Sequence, residues 1–536
     1  MENFKRAITF SLVFGLAFEV VGEEYNYEDD FELSGLEVAI TPTRTRIPIV
    51  DSPVSITQIN TDKSRLLGLY QYDDIFRLVP GFVVAHYQGH SPKISYHGTH
   101  GHLPRRMEAL YDGASIYRSG YARVNWGRLP IDSNDLNLIE IARGPSVADY
   151  GSNSFLSAVN MIGINPSDSG ENEFKFTSKG ENSDYFFIKT KFEDPVKHSS
   201  IFRAFYNKDS GFDIDSLGDA YNDDKTVGSF MFHQEKVQGS SNINTRLIYS
   251  ETEYEINIPR NDTLTRDNIN SEKNLFIGLT FENSWASRII DNSIEVNLFA
   301  SNYQLDQSFQ RCLASAFFLD ELRVLDSKDH INFTPNMIPS LQRAFQGLLS
   351  GDLSLENPQL IVELLNDLPL PFNPSDLQFE DLVDFGSLFL RIANEGAGNL
   401  LTPICGVTDQ NVNETAFKME VLYRYANNNK LFSTSTIGFK LNRVDSQTFL
   451  AGDITSNVLN LSNHARYHFN EYFTLNGGIM FEKPEDEELA ISPRASLTYK
   501  PTRNQAIRIG VSSARRSPDI YETSREWTET YRFMGY

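Results

Sequence analysis

Cysteine is nearly absent from this chain, with only Cys312 and Cys405 in 536 residues. That leaves room for one disulfide and no more. Positive charge is short as well: 48 Lys and Arg stand against 71 Asp and Glu, a formal net charge of -23. A nucleic-acid surface needs the reverse balance, because phosphates recruit Lys and Arg, so no nucleic-acid partner is expected. No run of about 20 apolar residues occurs, and no helix is expected to cross a bilayer. His-Glu-x-x-His is missing, and so is a Gly-rich phosphate loop with Lys. A zinc hydrolase and a nucleotide-driven machine lose their simplest signatures. The chain reads as a non-enzyme, with no cofactor expected.

What is present points elsewhere. Hydrophobic content is 40%, with 38 Phe and 24 Tyr. Aromatic-rich, Tyr-rich and acidic together suit a β protein with an exposed apolar band. Lys5 and Arg6 precede the apolar run "AITFSLVFGLAF", and "VVG" then leads into acidic "EEYNYEDD". Positive start, short apolar centre and small residues at the break form a secretory signal pattern over residues 1–22, cleaved after Gly22. In an oxidising compartment the even cysteine count supports a disulfide between Cys312 and Cys405. Closing so long a loop contributes on the order of 4 kcal/mol in the chain-entropy account. Two free buried thiols are the alternative.

The chain has two grammars. From about residue 36 to 165, short β runs mix with helical pieces. "ITPTRTRIPIVDSPVSITQIN" reads as extended chain, and "QYDDIFRLVPGF" as a helix capped near Tyr72 and Asp73 and stopped by Pro80-Gly81. "MEALYDGASIY" reads as a hairpin turning at Asp112-Gly113. After about residue 170 the pattern becomes repeated hairpins. In "AFKMEVLYRYANNNKLFSTSTIGFKLNRV", Met419, Val421, Tyr423 and Tyr425 alternate with Lys418, Glu420, Leu422 and Arg424. "NSIEVNLFAS", "RASLTYKP" and "AIRIGVSS" alternate likewise. Runs of about 9–11 residues suit tilted strands that cross a bilayer. A soluble sandwich also alternates. Export, roughly 13 or 14 strand candidates by the alternation test and a long acidic excursion favour a membrane barrel. The fold expected is a small α+β domain followed by an antiparallel transmembrane β-barrel.

"LIEIARGPSVADYGSNSFLSAVNMI" resembles the end of the plug domain of TonB-dependent outer-membrane receptors. In that family Glu-hydrophobic-x-Arg-Gly-Pro is followed by Tyr-Gly and a hydrophobic-Asn strand. The matching positions here are Glu140, Arg143, Gly144, Pro145, Tyr150, Gly151 and Asn160. "LVPGFVV" is similar to the family's Val-Pro-Gly element, and "EALYDGASIY", with Asp112 and Gly113, to its Asp-Gly hairpin. "LEVAITPTRT" resembles the TonB-box region, over Leu36, Glu37, Val38, Ala39, Ile40, Thr41 and Pro42. "ISPRASLTYKP" and "SARRSPDIYE" resemble barrel motifs. The resemblance runs in order from about residue 36 to 522. It departs where Ser157-Ala158 replaces Gly-Gly and where His97-Gly98 replaces Arg-Gly.

The resemblance implies a signal peptide at 1–22, a periplasmic segment with the TonB-box-like region at 23–42 and a plug at 43–165. A partial barrel at 170–536, with a long loop at 306–415, follows. Family barrels have about 22 strands, so a C-terminally truncated form, short by about eight strands, is expected. The function implied is ligand-gated import of a scarce siderophore, haem, metal or cobalamin-like ligand, driven by the proton gradient. The partners implied are TonB with its inner-membrane energising complex, a small-molecule or metal-chelate ligand, and outer-membrane lipid. TonB would add a strand to residues 36–42 through main-chain hydrogen bonds; an ordinary first plug strand is the other reading. Arg143 is expected to lock the plug to Glu482 or Glu522.

"HYQGHSPKISYHGTHGHLPRR" holds five of the ten histidines. His100 and His102, two apart, would share a strand face as a metal-ligand pair, and His86 and His90 would also face together. His97, at the family's Arg position, is expected to pack inside. Three readings stay open. The stretch is a solvated loop; or His100 and His102 recognise a metal, chelate or haem; or Tyr117, Arg118 and Tyr121 recognise an anionic ligand by stacking and charge pairing. For those last three, packing of plug against wall is the plainer alternative. Competing functions are a passive outer-membrane receptor or porin uncoupled from TonB, and a secreted metal-binding protein.

Overall fold

The computed structural model describes residues 37–86, 88–98, 105–145, 147–170, 172–178, 183–194, 198–212, 214, 223–256, 269–287, 290–314, 403–427, 430–450, 452–502, 505–526 and 532–533. The expected signal peptide, Leu36, His100, His102 and most of the 306–415 excursion lie outside them. Two compact units emerge, one holding the plug and a long sheet, the other the strands Ser308–Ala314, Pro403–Asp409 and Arg532–Phe533.

The plug is built on a five-stranded sheet in the order Ser55–Asn60, Leu136–Arg143, Ser157–Gly163, Met107–Tyr111, Ala114–Ser115. Met107–Tyr111 and Ser157–Gly163 run parallel, and both are buried on nearly every residue. Buried on two faces, such strands read as continuous apolar runs, as "MEALY" and "SAVNMIG" do. The Asp112-Gly113 hairpin forms as expected, with φ positive at both residues. The helix Tyr72–Phe76 is shorter than its sequence pattern suggested, and Ile75 and Phe76 seat it in the core. Phe76 meets Trp126 edge-on at 4.8 Å. Each such aromatic buried from water contributes about 1.5–3 kcal/mol.

The wall is one 13-stranded antiparallel meander from Glu173–Ser178 to Gln505–Ser512. Ile290–Asp306 pairs with Val412–Asn427, so the long excursion leaves the sheet and returns beside its start. As 13 strands imply where about 22 enclose a plug, the described sheet does not close on itself. Connections at one end are tight, as from Gln238 to Ser241 and Asn427 to Leu431; those at the other are long, as from Asp209 to Lys225 and Asp306 to Val412. Short turns mark the periplasmic end of such walls and long loops the outer end.

Strands run longer than the 9–11 residues expected: Ile269–Ala286 has 18. Its exposed apolar residues are only Leu275, Ile277, Leu279 and Phe281, so the apolar band is shorter than the strand that carries it. The wall is apolar outside and polar inside. Phe417, Met419 and Tyr423 are exposed, while Glu414, Glu420 and Leu422, in the opposite phase, are buried. Ile437 is 53% exposed and Leu461 52%, whereas Arg203, Glu272 and Arg494 are buried. A soluble sandwich would show the reverse, and this inversion removes it.

In the second unit, Cys312 stands opposite Cys405 in the register of Ser308–Ala314 and Pro403–Asp409. Cys405 is disulfide-bonded.

Candidate functional site

The plug meets the wall through buried charge. Arg44 lies just after the "AITPT" segment and forks onto Glu420, with Nη1 donating to Oε1 at 3.0 Å and Nη2 to Oε2 at 2.7 Å. Arg128 donates to Glu272 from Nε at 3.1 Å and Nη2 at 2.8 Å, and lies over the Tyr254 ring at 4.0 Å. Asp135 pairs with wall Arg203, Asp149 with Arg494 and Asp51 with Lys500, each at 2.7 Å. Asp112, in the hairpin turn, faces Arg246 at 3.1 Å. Arg and Asp dominate because a planar fork satisfies a carboxylate twice where no water reaches.

On the plug side, His90 joins this seam. His90 Nε2 lies 2.6 Å from the carbonyl of Glu255, so it carries the proton and donates, and Nδ1 accepts from Arg128 Nη1 at 2.8 Å. Burial first, then the Arg128 charge, push the His90 pKa down to about 3. Arg128 itself would lose basicity on burial, but Glu272 outweighs that and holds it above the usual arginine range. His90 is therefore a neutral connector between plug and wall.

The other described histidines disperse. His86 Nε2 is 2.7 Å from Asp73 Oδ2. It does not face with His90, because the chain turns between them at Gln88 and Gly89, where Ser91 N donates to the Gln88 carbonyl. His97 is exposed rather than packed inside: with φ at +57 it sits in the turn before Gly98, its ring 4.0 Å from that of Tyr96. Among the described residues, no three His, Cys, Asp or Glu side chains are grouped to hold a metal ion.

Tyr117, Arg118 and Tyr121 are engaged with the wall and its loops. Tyr117 Oη donates to Asp519 Oδ2 at 2.8 Å. Arg118 donates to Asn274 and lies over the Tyr303 ring at 4.5 Å. Tyr121 is buried with Tyr254, Tyr303 and Phe449, meeting Phe449 edge-on at 5.2 Å. Nearby, Ser119 N and Gly120 N donate to Glu414 at 3.0 and 3.2 Å.

The motif residues hold the plug's frame. Glu140 faces the 38–41 segment and accepts from Ile40 and Thr41. Asn160 lies opposite Glu140 in the sheet and accepts from Gly113 N at 3.4 Å. Gly144 has φ at +100 and turns the chain into exposed Pro145. Tyr150 lies under the Arg44 guanidinium at 5.4 Å. Gly151 has φ at +87, and a Cβ there would meet Glu482 Oε2 at 2.7 Å. Arg143 pairs with neither carboxylate expected for it. Glu482 accepts from Ser152 N and Ser517 Oγ, and Glu522 pairs with Arg105 and Arg516. Arg143 ends the strand Leu136–Arg143, opposite Ser55 and Ser157 in the plug sheet.

Sequence reasoning missed Arg44, Arg128, Glu272 and Arg494. Phase was the available signal: Glu420 falls on the polar side of an alternating strand, and so does Arg494 in "ISPRASLTYK".

Residues 48–157 match the family described as the TonB-dependent Receptor Plug Domain. Solved structures are similar across plug and wall. The ferripyoverdine receptor of the outer membrane of Pseudomonas aeruginosa matches 96% of this chain and 65% of its own, at 11% identity and a TM-score of 0.58. The ferric-catecholate import receptor Fiu from E. coli matches 88% of this chain and 71% of its own, at 9% identity and 0.57. The copper transporter OprC matches 89% and 66%, at 11% identity and 0.56. The chain thus spans about two thirds of the length of these receptors, and at such identities the likeness is one of fold. Residues 48–157 are thus a TonB-dependent receptor plug domain, and with its wall inverted for lipid and its plug charge-locked to that wall the chain has the plug-and-wall fold of bacterial outer-membrane receptors.

Proposed function

We propose that this protein imports a scarce ligand, a siderophore, haem, metal or cobalamin-like chelate, by ligand-gated transport coupled to TonB. The observation that carries the reading is the charge seam between plug and wall. Arg44–Glu420, Arg128–Glu272, Asp135–Arg203 and Asp149–Arg494 are all buried ion pairs. Separating one such pair without replacing its partner costs about 3–5 kcal/mol. A plug held by several does not open on thermal energy alone, so work must come from outside the chain. Residues 36–42 offer the handle, since a segment released into extended form takes a partner strand through its main chain. Ligand would arrive from the long-loop end, where the plug turns around 86–98 and 117–123 meet the wall's outer strand ends.

The test is uptake by energised cells producing the protein, supplied in turn with ferric siderophores, copper, zinc, haem and cobalamin. One class should accumulate, and deletion of residues 36–42 or collapse of the proton gradient should abolish it with surface expression unchanged. Uptake that survives the deletion would make the protein a passive receptor and end the coupled reading. Changing His100 and His102 together to Ala separates metal recognition by those histidines from recognition elsewhere.

A further inference from the structure

Unanswered polar atoms gather on one sector of the wall's inner face. The strands Gly452–His468, Phe473–Pro484 and Ala490–Thr502 pair in turn, and their register sets Arg466, Asn476 and Ser496 in one row. His464, Gly478 and Arg494 form the row on one side of it, Thr474 and Thr498 the row on the other. His464 and Arg494 are each 6% exposed, and Ser496 and Thr498 are buried more deeply. Among the described residues, His464 Nε2, Arg494 Nε, Ser496 Oγ and Thr498 Oγ1 reach no hydrogen-bond partner. Asn476 Oδ1 reaches none either, its amide being turned to give Nδ2 to the Asp51 carbonyl at 3.3 Å. The His464 proton can be placed. Nδ1 lies 3.3 Å from Arg494 Nη2, which only donates, so Nδ1 accepts and Nε2 carries the hydrogen. An imidazole N–H, a guanidinium N–H and two hydroxyls are therefore buried with nothing to receive them, which is costly.

Positive charge is in surplus at the same place. Lys500 meets Asp51 and Arg494 meets Asp149, each at 2.7 Å. Arg508, opposite Thr498, donates to the Ser52 carbonyl at 2.6 Å and the Ser55 hydroxyl at 3.2 Å, both of them neutral. Arg466 adds a further guanidinium, lying over the Phe432 ring at 4.2 Å. Water satisfies hydroxyls, but it brings no charge to set against buried guanidiniums. Donors without acceptors beside an excess of cations call for an anion, and so small a surplus calls for a monovalent one. We propose that this sector binds a small monovalent anion of chloride's size, seated among His464, Arg494, Ser496 and Thr498 as a counter-ion to the wall. Gly478 carries no side chain between His464 and Arg494, and Ser496 and Thr498 are short, so the floor between the long bases is low. The site is independent of what the protein imports.

The experiment uses the full chain in detergent, with chloride replacing gluconate, a bulky anion, at constant ionic strength. An anion held only by the closed structure slows exchange by one plus its concentration over its Kd. Hydrogen exchange of the peptide covering residues 458–468 should thus slow roughly tenfold at ten times the Kd, along a saturable curve. Ser496→Ala combined with Thr498→Val removes two donors and no charge, and should raise the chloride midpoint roughly tenfold or more. Should the double variant fail to fold, Thr498→Val alone should raise the midpoint by a smaller factor of the same sign. Bromide in place of chloride should give an anomalous diffraction peak between His464 and Arg494. Equal exchange in chloride and gluconate overturns the site. So does a chloride effect that never saturates and persists undiminished in the variant, since general screening of charge acts in that way.

Discussion

Plug and wall are made of the same residue types turned opposite ways. In the plug, Ile75, Phe76, Ile139 and Met161 are buried, the ordinary order in water. In the wall, Ile437, Leu459, Leu461 and Ile509 face out and Arg203, Glu272, Glu420 and Arg494 face in. The difference identifies the solvent on each side: lipid outside the wall, and a polar interior that the plug's own charges fill. It also shows where the plug's stability lies. Its core is held by apolar burial and its place by charge.

The largest break in that comparison comes from stranding a charge at the seam. Glu272→Ala leaves Arg128 buried without its partner, and should ease plug opening by about 3–5 kcal/mol, read as hydrogen exchange in the plug. The pair Glu272→Met with Arg128→Met should recover most of it, since apolar replacements leave no orphan charge. If the single and double variants cost the same, packing and not charge holds the plug. Next is the lipid face. Leu461→Arg, on an exposed wall position, should cost about 2–4 kcal/mol in a reversible folding titration into lipid bilayers. An ordinary exposed leucine in water would tolerate the same change within about 0.5 kcal/mol, so a silent result would remove the lipid-facing assignment.

Much of this was open to reading along the chain. Alternation in "KMEVLYRY" gave the phase of Glu420 and Tyr423, and the Asp112-Gly113 turn declared itself because only a positive-φ pair closes so tight a hairpin. Both signals are local. Arg44 and Glu420 are 376 positions apart, and nothing near either says that they meet. Arg143 looked like the lock because it sits in the recognisable motif, whereas Glu482 and Glu522 are held by Ser152, Ser517, Arg105 and Arg516. The histidines misled for a related reason. Density in sequence suggested convergence, but the turns at Gln88 and His97 send His86, His90 and His97 to three environments.

The seam should also respond to pH through His90. Its pKa in the fold is about 3, below the ordinary value of 6.5, with Arg128, Lys225 and the Glu255 carbonyl around it. A base whose folded pKa is depressed binds protons more readily when released. Its contribution is therefore intact above pH 6.5 and is lost progressively as pH falls toward 3. The slope approaches about 1.4 kcal/mol per pH unit in that window. From pH 7 to 5 the turn near residue 90 should thus loosen by about 2 kcal/mol in hydrogen exchange. His90→Gln, unable to titrate, should flatten the dependence; a variant that keeps the full slope assigns it to another group.

The smallest effect sharpens the comparison most, because it separates backbone from seam. Gly113 and Gly151 both have positive φ, at +81 and +87, so alanine strains either. Around Gly113 a Cβ meets nothing within 4 Å, while at Gly151 it would stand 2.7 Å from Glu482 Oε2. Gly113→Ala therefore measures backbone strain alone, about 1–2 kcal/mol. Gly151→Ala adds displacement of Glu482, which accepts from Ser152 N at 3.1 Å, so it should cost about 1 kcal/mol more. Glu482 lies on the wall strand Phe473–Pro484 and Ser152 on the plug. The excess should therefore appear as faster exchange at residues 151–154 and not in the plug core. Equal costs for the two glycines would mean that Glu482 yields freely and that this contact belongs to the wall's own packing, leaving the plug held at its charged pairs.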